Sequence, residues 1–282
     1  TRPHLSMSTI EYENYDSTSV SYNETRTPIG LPIILKHLTA TPVALNEQTV
    51  LDAGCGTGNY LAPLHGQVGT LHGVEFNAGM VKVARERFPD DPEVKIEQGS
   101  ATELSSADGI YDGVICNQVL HHLDDGTTAD FPNVATFFRE AFRVLKPGGV
   151  LIINSSGHDQ HRDGFWWAAL IPKAIDQMLK RMPSIEVLKE NFLKAGFTDY
   201  EVVVPFDEAL QGGQYLDPKG PLSPAWRAGD SSWSLATEEE LAHAIAEVKI
   251  RLEDGSMAPF INDREKLRAE LGQTTFLIAR KP

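Results

Sequence analysis

A glycine-rich segment at residues 50–60 carries the strongest chemical signal in the sequence. It reads Val-Leu-Asp-Ala-Gly-Cys-Gly-Thr-Gly-Asn-Tyr, an apolar run followed by glycine at every second place, at Gly54, Gly56 and Gly58. Such glycines let a ligand approach the bare backbone, and a helix that starts there offers free N–H groups and a positive dipole end. Asp52 precedes the glycines and places a carboxylate where a ligand with an ammonium group fits better than a pyrophosphate.

The spacing of these glycines separates two kinds of nucleotide site. The dinucleotide fingerprint needs glycine or alanine at its sixth position, so that strand and helix pack closely. Asn59 occupies that position, which disfavours a nicotinamide-dependent enzyme. A phosphate-binding P-loop is excluded because no Gly-Lys-Ser/Thr sequence follows.

Two pairs of histidines follow predicted strands and are candidates for proton transfer. His121 and His122 come just after the fourth predicted strand, and His158 and His161 follow the fifth. Open α/β sheets bind ligands at these strand ends, and imidazole is suited to general-base catalysis there. The alternative is that these rings only pack against or cap helices. The sequence predicts no metal, because no His-x3-His pattern is present and two cysteines are too few for a Cys-rich zinc site.

Large aromatic residues in the second half of the chain are candidates for contacts with a substrate. They fit an apolar pocket beneath a lid, or a cage for a cationic group held by cation–π attraction. The alternative is that the rings only attach an insertion to the sheet. The candidate substrate contacts in this half are His158, Trp166, Tyr215, Trp226 and Trp233.

Alternating strand-like and helix-like segments must position these groups. From about residue 49, short β-branched runs alternate with helix-period segments, which predicts an α/β fold with a doubly wound, mostly parallel sheet. One predicted helix carries apolar residues from Val134 to Leu145 on one face and stops at the Lys-Pro-Gly-Gly sequence of residues 146–149. A later helix takes Gly196 as its C-terminal cap. The predicted strands are residues 49–53, 69–75, 94–98, 111–117, 149–154, 200–204 and 274–280.

About seventy residues separate the last two predicted strands, far more than an ordinary connection. Thr237 and Glu240 form a predicted capping box that opens a helix within this stretch. We interpret the stretch as an insertion over the end of the sheet. The expected organisation is an N-terminal cover at residues 1–47, a core at 48–205 and 274–282, and an insertion or lid at 206–273.

Five features, in this order along the chain, resemble a known family. The Asp52-x-Gly54-x-Gly56-x-Gly58 sequence is similar to motif I of class I S-adenosylmethionine-dependent methyltransferases. Glu75 follows where that family places an acid on both ribose hydroxyls. Residues 111–123 resemble its fourth-strand motif, and residues 145–149 resemble the turn into its fifth strand. The final strand resembles its reversed seventh strand. Within the family, the pattern is most similar to small-molecule methyltransferases of the ubiquinone-biosynthesis-like kind.

The resemblance implies a reaction and a cofactor. The cofactor would be S-adenosylmethionine, and S-adenosylhomocysteine would be the product. Methyl transfer would be an in-line displacement, which the protein assists mainly by aligning the acceptor and excluding water. A base is needed only where the acceptor loses a proton, and His121 or His122 is the candidate. The accepting atom is left open among oxygen, nitrogen, sulfur and carbon.

The resemblance also implies a set of cofactor contacts. Glu75 would hold the ribose, with Asn77 and Met80 flanking the adenine. Asn117 would lie beneath the methionine portion, near Asp52. The backbone around the glycines and the residues after the third strand would complete the site. These further contacts are Gly54, Cys55, Gly56, Gly58, Ser100 and Ala101, of which Ser100 departs from the Asp that many relatives carry.

The N-terminal segment is expected to form a helical cover over the cofactor, as similar segments do in the family. It contains Tyr12, Tyr15, Tyr22 and Arg26. Tyr22 and Arg26 are candidate substrate contacts, since an Arg guanidinium can donate two parallel hydrogen bonds to a carboxylate. The alternative for Arg26 is an ordinary surface position.

The overall charge limits the kinds of partner. Lys and Arg number 25 against 39 Asp and Glu, a net charge of −14, which argues against nucleic acid and against anionic membrane surfaces. No apolar stretch approaches the roughly 18 residues of a membrane span, and no signal-peptide core is present. We therefore expect a soluble cytoplasmic enzyme with a small-molecule substrate, and the oligomeric state is left open. The alternatives are a protein or carrier-bound substrate, or a non-catalytic module that binds S-adenosylmethionine.

Overall fold

The computed structural model describes residues 27–282, and its centre is one seven-stranded sheet. Numbered along the chain, the strands are β1 Thr49–Ala53, β2 Thr70–Glu75, β3 Val94–Gln98, β4 Tyr111–Asn117, β5 Leu145–Ser155, β6 Thr198–Val203 and β7 Thr275–Arg280. Their order across the sheet is β3-β2-β1-β4-β5-β7-β6. All neighbours are parallel except β7, which runs antiparallel to both β5 and β6. The predicted doubly wound sheet with a reversed last strand is confirmed.

Helices flank both faces of this sheet. Within residues 27–282 the α-helices are α1 Leu31–Thr39, α2 Leu61–Leu64, α3 Ala78–Arg87, α4 Pro132–Val144, α5 His158–Asp163, α6 Pro172–Arg181, α7 Ile185–Ala195, α8 Pro224–Arg227, α9 Glu238–Asp254 and α10 Met257–Leu271. No helix in this part of the chain combines the length and the apolar character that crossing a bilayer requires.

Two hydrophobic clusters explain why the central strands are apolar on both sides. One cluster packs α4 and α7 against the sheet, with Phe137, Phe138 and Phe192 fully or almost fully buried. The other packs α1 and α2 against the opposite face, with Ile34 and Leu61 at its centre. Strands covered on both faces read as continuous apolar runs rather than as alternating ones.

Four strands have boundaries that differ from the sequence prediction. β5 begins at Leu145 rather than at residue 149, because Leu145 pairs with Tyr111 before the register shift that precedes Gly113. The helix α4 therefore ends at Val144, one residue before the predicted apolar face does. The other three strands, β2, β6 and β7, start or end within two residues of the prediction. At strand ends the partner strand, rather than local sequence, decides where pairing begins.

A third hydrophobic cluster joins residues 165–182 to the long stretch between β6 and β7. It contains the four tryptophans and buried residues of α6, α9 and α10. The helix α10 was not predicted, because Met257 and Ile261 are its only buried residues and they give a weak apolar stripe. The division of the chain into cover, core and lid stays a proposal.

The start of α9 corrects one prediction. Thr237 Oγ1 accepts a hydrogen bond from Glu240 N at 3.2 Å, as expected of an N-cap. The Glu240 side chain, however, does not return to Thr237. Its carboxylate accepts hydrogen bonds from the backbone N–H groups of Lys173 at 2.7 Å and Ala174 at 3.2 Å. The prediction that the Glu240 side chain bonds back to the backbone of Thr237 is therefore wrong. Glu240 joins α9 to the start of α6 instead.

Candidate functional site

Asp52 is a buried carboxylate at the end of β1. It is 1% exposed, and in the described part of the chain neither of its oxygens has a hydrogen-bond partner. Burial, and secondarily the charge of Glu75, raises the pKa of Asp52 to about 8. A buried carboxylate without a donor is unfavourable, so this group is poised to accept a cation or a hydrogen-bond donor from a ligand.

The glycine loop brings bare backbone close to the end of β4. Gly54 has a φ of 86°, which residues with a side chain rarely adopt. A Cβ at this position would overlap the side chain of Val119, which follows β4. Glycine is thus required here on both conformational and steric grounds. Gly58 instead faces α3, where a Cβ would lie 3.2 Å from the ring of Phe88.

Glu75, at the end of β2, holds the glycine loop. Its Oε2 accepts a hydrogen bond from Gly56 N at 3.0 Å, and its Oε1 accepts one from Asn77 N at 2.8 Å. Burial raises the pKa of Glu75, while these two backbone N–H groups act in the opposite direction. Asn77 in turn caps α3, since its Oδ1 accepts a hydrogen bond from Met80 N at 2.9 Å. The predicted ribose and adenine contacts are therefore adjacent in space.

A small cavity lies between the glycine loop and the end of β4. It encloses about 60 Å³. Five of the predicted cofactor residues line it: Asp52, Gly54, Cys55, Gly56 and Asn117. The side-chain amide of Asn117 has no partner for its nitrogen or its oxygen within residues 27–282, although both atoms are buried. The cavity therefore carries two buried polar side chains whose hydrogen-bonding capacity is left for a ligand.

Several residues that the sequence did not predict also line this cavity. Gln118 directly follows the predicted contact Asn117, and Tyr60 lies two residues after Gly58, so proximity along the chain was the available signal. Thr27 and Leu210 come from distant segments, joined where Thr27 N donates a hydrogen bond to Leu210 O at 3.2 Å. No local pattern could have indicated this contact, which is tertiary.

Other features of the glycine loop and of the residues after β3 are local. Burial raises the pKa of the Cys55 thiol, so Cys55 contributes backbone rather than a thiolate. Ser100 Oγ and Thr102 Oγ1 form a hydrogen bond at 2.8 Å, and Ala101 is buried. Asn59, which departs from the dinucleotide fingerprint, accepts a hydrogen bond from Arg87 Nη1 at 3.0 Å through its Oδ1.

The four candidate histidines lie in different surroundings. His121 is 8% exposed and His122 is half-buried, with ring centroids 4.0 Å apart, in the short 3-10 turn after β4. His158 Nε2 lies 2.8 Å from Met182 O, in a separate open groove. His161 is buried, with Nε2 2.9 Å from Ser232 Oγ. The first pair keeps its position after β4, and the second pair is engaged elsewhere.

The predicted aromatic contacts form part of the third hydrophobic cluster. Trp166 is fully buried, and its Nε1 donates a hydrogen bond to Tyr215 O at 2.6 Å. The ring of Trp226 lies 6.1 Å from those of both Trp166 and Trp233. Trp233 packs on Trp167 at 5.5 Å, and its Nε1 has no acceptor in the described residues. This placement favours the attachment role, and contact with a substrate stays a prediction.

Two further predictions concern parts of the chain outside these groups. Tyr22 and Arg26 lie outside the described residues, as do Tyr12 and Tyr15. For metals, the described residues include one surface cluster in which His65 Nε2 lies 2.9 Å from Asp91 Oδ2 and 3.9 Å from Glu93 Oε2. Exposed acidic groups of this kind are common without an ion, and the absence of a metal stays a prediction.

The geometry fits S-adenosylmethionine. An unpartnered carboxylate at Asp52 suits the ammonium group of the methionine portion, and Glu75 stands on the neighbouring strand for hydroxyl groups. The glycines between them leave the backbone open to a ligand. The residues present therefore match the chemistry of the cofactor that the sequence motifs imply.

Comparison with known sequences finds methyltransferases. Residues 51–153 match the family model described as "Methyltransferase domain". The chain is 30% identical over 190 residues to the 2-methyl-6-phytyl-1,4-hydroquinone methyltransferase of Synechocystis sp., which covers 66% of this chain and 53% of that protein. The chain thus spans about half the length of this relative. It is also 26% identical over 178 residues to the demethylmenaquinone methyltransferase of Oceanobacillus iheyensis, covering 55% of this chain and 71% of that protein.

Comparison with solved structures supports the fold. A protein of Anabaena variabilis, with a proposed role as a methyltransferase of an antibiotic biosynthesis pathway, has a TM-score of 0.70 at 21% identity, covering 91% of this chain and 99% of that one. A phosphoethanolamine N-methyltransferase of Haemonchus contortus has a TM-score of 0.57 at 21% identity, covering 95% of this chain and 57% of that one. With the glycine loop, its paired acids and this match, residues 51–153 form a methyltransferase domain of the class I S-adenosylmethionine-dependent kind.

Proposed function

We propose that this protein transfers a methyl group from S-adenosylmethionine to a small-molecule acceptor. The observation that carries the proposal is the buried, unpartnered Asp52 carboxylate, which lines a cavity together with the bare backbone of Gly54 and Gly56. A site of this kind favours a ligand with a positive charge, and the methyltransferase family that residues 51–153 match uses such a cofactor. When bound, the cofactor supplies an electrophilic methyl group on its sulfonium.

The residues of the chain would divide the work of binding. Asp52 would hold the ammonium group, and Asn117 would complete the hydrogen bonds of the methionine portion. Glu75 would hold the ribose while it keeps the glycine loop in place through Gly56. Asn77 would flank the adenine as it caps α3. Each of these groups lies at the end of a strand or at the start of a helix, so the sheet fixes their relative positions.

For the chemical step, the protein would align the two reactants, exclude water from the site and provide a general base. Aligning the two reactants and excluding water lower the activation free energy by several kcal/mol, on the order of the gain from a high effective concentration of the acceptor. His121 is the proposed base for an acceptor that loses a proton, because it is nearly buried and follows the strand that ends at Asn117. Because His121 is buried, little solvent water competes with its imidazole as the acceptor of this proton.

A hydroquinone is the first acceptor to test. The relatives from Synechocystis and Oceanobacillus are named for a hydroquinone and for demethylmenaquinone. The net charge of −14 disfavours nucleic acid as a partner. The alternatives remain a protein or carrier-bound substrate and a non-catalytic binding module. The cytoplasmic location also stays a prediction.

The test supplies cofactor with an isotopically labelled methyl group. The wild-type protein is incubated separately with 2-methyl-6-phytyl-1,4-hydroquinone, with a small-molecule extract, with protein and with RNA. Label in a small molecule is the expected result, and its fragmentation identifies the accepting atom. Label in protein or RNA would overturn the small-molecule assignment, and binding without any transfer would favour the module.

Variants connect this activity to the site. The Asp52→Ala/Glu75→Ala double variant should lose both cofactor binding and transfer. Its matched control replaces one exposed Asp and one exposed Glu, in Asp263→Ala/Glu190→Ala, and should retain both. Equal cofactor binding by the two double variants would contradict the proposed site.

A further inference from the structure

Gln118 has a backbone conformation that a glutamine rarely adopts. Its φ is 56°, in the left-handed region, where a side chain is disfavoured. Its backbone N–H donates a hydrogen bond to Asn154 O at 2.9 Å, which ties the turn after β4 to the end of β5. Strained residues of this kind persist only where the surroundings fix them, and they cluster at binding sites.

The side chain of Gln118 is fixed through its nitrogen. Nε2 donates hydrogen bonds to Asn154 Oδ1 at 3.0 Å and to Thr274 Oγ1 at 2.9 Å. Thr274 and Asn154 are hydrogen-bonded to each other, and Asn154 Nδ2 donates to Tyr60 OH at 3.4 Å. A primary amide has two N–H donors, so both are in use. Oε1 is the group that remains, and within residues 27–282 it accepts no hydrogen bond.

The position of this amide points to the acceptor rather than to the cofactor. Glu75 on β2 marks the ribose end of the proposed cofactor site, and Asp52 on β1 marks the methionine end. In the strand order β5 and β7 lie on the other side of β4, and the two anchors of the amide are there. Gln118 also lines the same cavity as Asp52. The amide is therefore anchored on the β5 and β7 side of the cavity, away from the strand that carries the proposed ribose contact.

We propose that Gln118 Oε1 accepts a hydrogen bond from a hydroxyl group of the methyl acceptor, so that the site selects acceptors with a free hydroxyl. The inference rests on the proposed function and names a substrate contact within it. An acceptor without this hydroxyl leaves the fixed amide oxygen without a donor, and sites built around a hydrogen bond reject such analogues.

The test measures binding to the complex of the protein with S-adenosylhomocysteine. The probes are 2-methyl-1,4-hydroquinone, kept reduced, and 1,4-dimethoxy-2-methylbenzene, which has no donor. The wild-type complex should bind the hydroquinone about tenfold more tightly than the ether. Gln118→Leu should bind the two probes with affinities within about twofold of each other, because the accepting oxygen is gone. The control Gln67→Leu removes an exposed glutamine amide that contacts only Pro63 O and should keep the tenfold preference.

Further outcomes keep the proposal testable if Gln118→Leu does not fold. Thr274→Val removes one anchor of the amide and leaves Oε1 in place, so it should retain a reduced preference for the hydroquinone. An unchanged preference in Gln118→Leu, or a wild-type complex that does not bind the hydroquinone or does not distinguish the probes, overturns the proposal. These titrations need no turnover, whereas the proposed function fails only if the wild-type protein transfers no labelled methyl group to any small molecule.

Discussion

Glu75 Oε2 accepts a hydrogen bond from the backbone N–H of Gly56 at 3.0 Å, so an acid at the end of one strand holds the loop at the end of its neighbour. The proposed ribose contact and the shape of the glycine loop therefore depend on the same carboxylate. Any change at Glu75 acts on both at once.

The first prediction concerns this shared role. Glu75→Ala should weaken S-adenosylmethionine binding by about 100-fold, because hydrogen bonds to a charged group are lost together with the order of the loop. Glu75→Gln keeps one accepting oxygen and should lose about tenfold. Calorimetric titration measures both. Glu86→Gln, an exposed change on α3, is the control, and binding by Glu75→Ala within about threefold of wild type would contradict the assignment.

The second prediction concerns protons released on binding. With a pKa of about 8, Asp52 is mostly protonated in the free protein at neutral pH. A bound ammonium group favours the carboxylate, so binding should release a proton, and affinity should rise as pH increases from about 6 to about 8. Titration in buffers of different ionisation enthalpy measures this release. Asp52→Asn should bind weakly and release no such proton, and equal release by both proteins would show that another group is responsible.

The same residue affects stability with a definite sign. The folded pKa of Asp52 lies above its ordinary value of 3.8, so its contribution to folding is full below pH 4 and is lost as pH rises through about 8. The Asp52→Asn variant cannot ionise and should therefore melt at a higher temperature than wild type at about pH 9. Melting temperatures of both proteins, measured at about pH 4 and about pH 9, check this difference.

The third prediction compares two glycines that share a positive φ. Gly54→Ala should destabilise the fold by about 2 kcal/mol or more, because its Cβ overlaps Val119 as well as straining the backbone. Gly66 has a φ of 74°, and no atom lies within 4 Å of a Cβ added there. Gly66→Ala should therefore lower the free energy of unfolding by only about 1 kcal/mol. Denaturant unfolding measures both. The double variant Gly54→Ala/Val119→Ala should recover part of the loss, and no recovery would mean that the overlap is unimportant.

The fourth prediction separates the two histidines after β4. If the acceptor loses a proton, His121→Ala should reduce kcat by about 100-fold, whereas His122→Ala should have a smaller effect, because His122 is more exposed. The pH dependence of kcat should lose its imidazole limb in the first variant only. A kcat within threefold of wild type in both variants would exclude general-base catalysis by this pair.

The fifth prediction tests the role of the tryptophans. Trp166→Ala should lower the free energy of unfolding by about 3–5 kcal/mol, because a fully buried indole and its hydrogen bond to Tyr215 are removed. Trp233→Phe keeps an aromatic ring beside Trp167 and should be milder. A higher acceptor KM for Trp233→Phe, with stability unchanged, would instead support contact with a substrate.

The sequence was sufficient for the elements that local patterns define. β1, β3 and β4 begin and end at the predicted residues, since β1 and β4 are mostly apolar runs and β3 alternates β-branched with polar residues. Asp52 was predicted from its place before the glycines, and Glu75 was predicted from the resemblance to the methyltransferase family. The start of β5 was missed, because the pairing of Leu145 with Tyr111 depends on a partner strand.

Contacts between distant segments account for what the sequence could not provide. Gln118 looks like an ordinary polar residue until its φ and its bonds to Asn154 and Thr274 are known. Glu240 matched a capping pattern, yet its carboxylate binds the start of another helix. In both cases the partner lies many residues away along the chain, and only the folded arrangement selects it over the local alternative.

The reversal of β7 has a consequence for how such a protein can diversify. β6 ends and β7 begins at the same edge of the sheet as the carboxyl ends of β1 and β4, because β7 runs antiparallel to its neighbours. Residues 206–273 therefore leave and rejoin the sheet beside the cavity, in effect as the enlarged turn of a hairpin. A turn of this kind can be exchanged for one of another length or composition without altering the pairing of any strand. If the proposed lid contacts the acceptor, its exchange changes the acceptor preference while the glycine loop and its acids stay as they are.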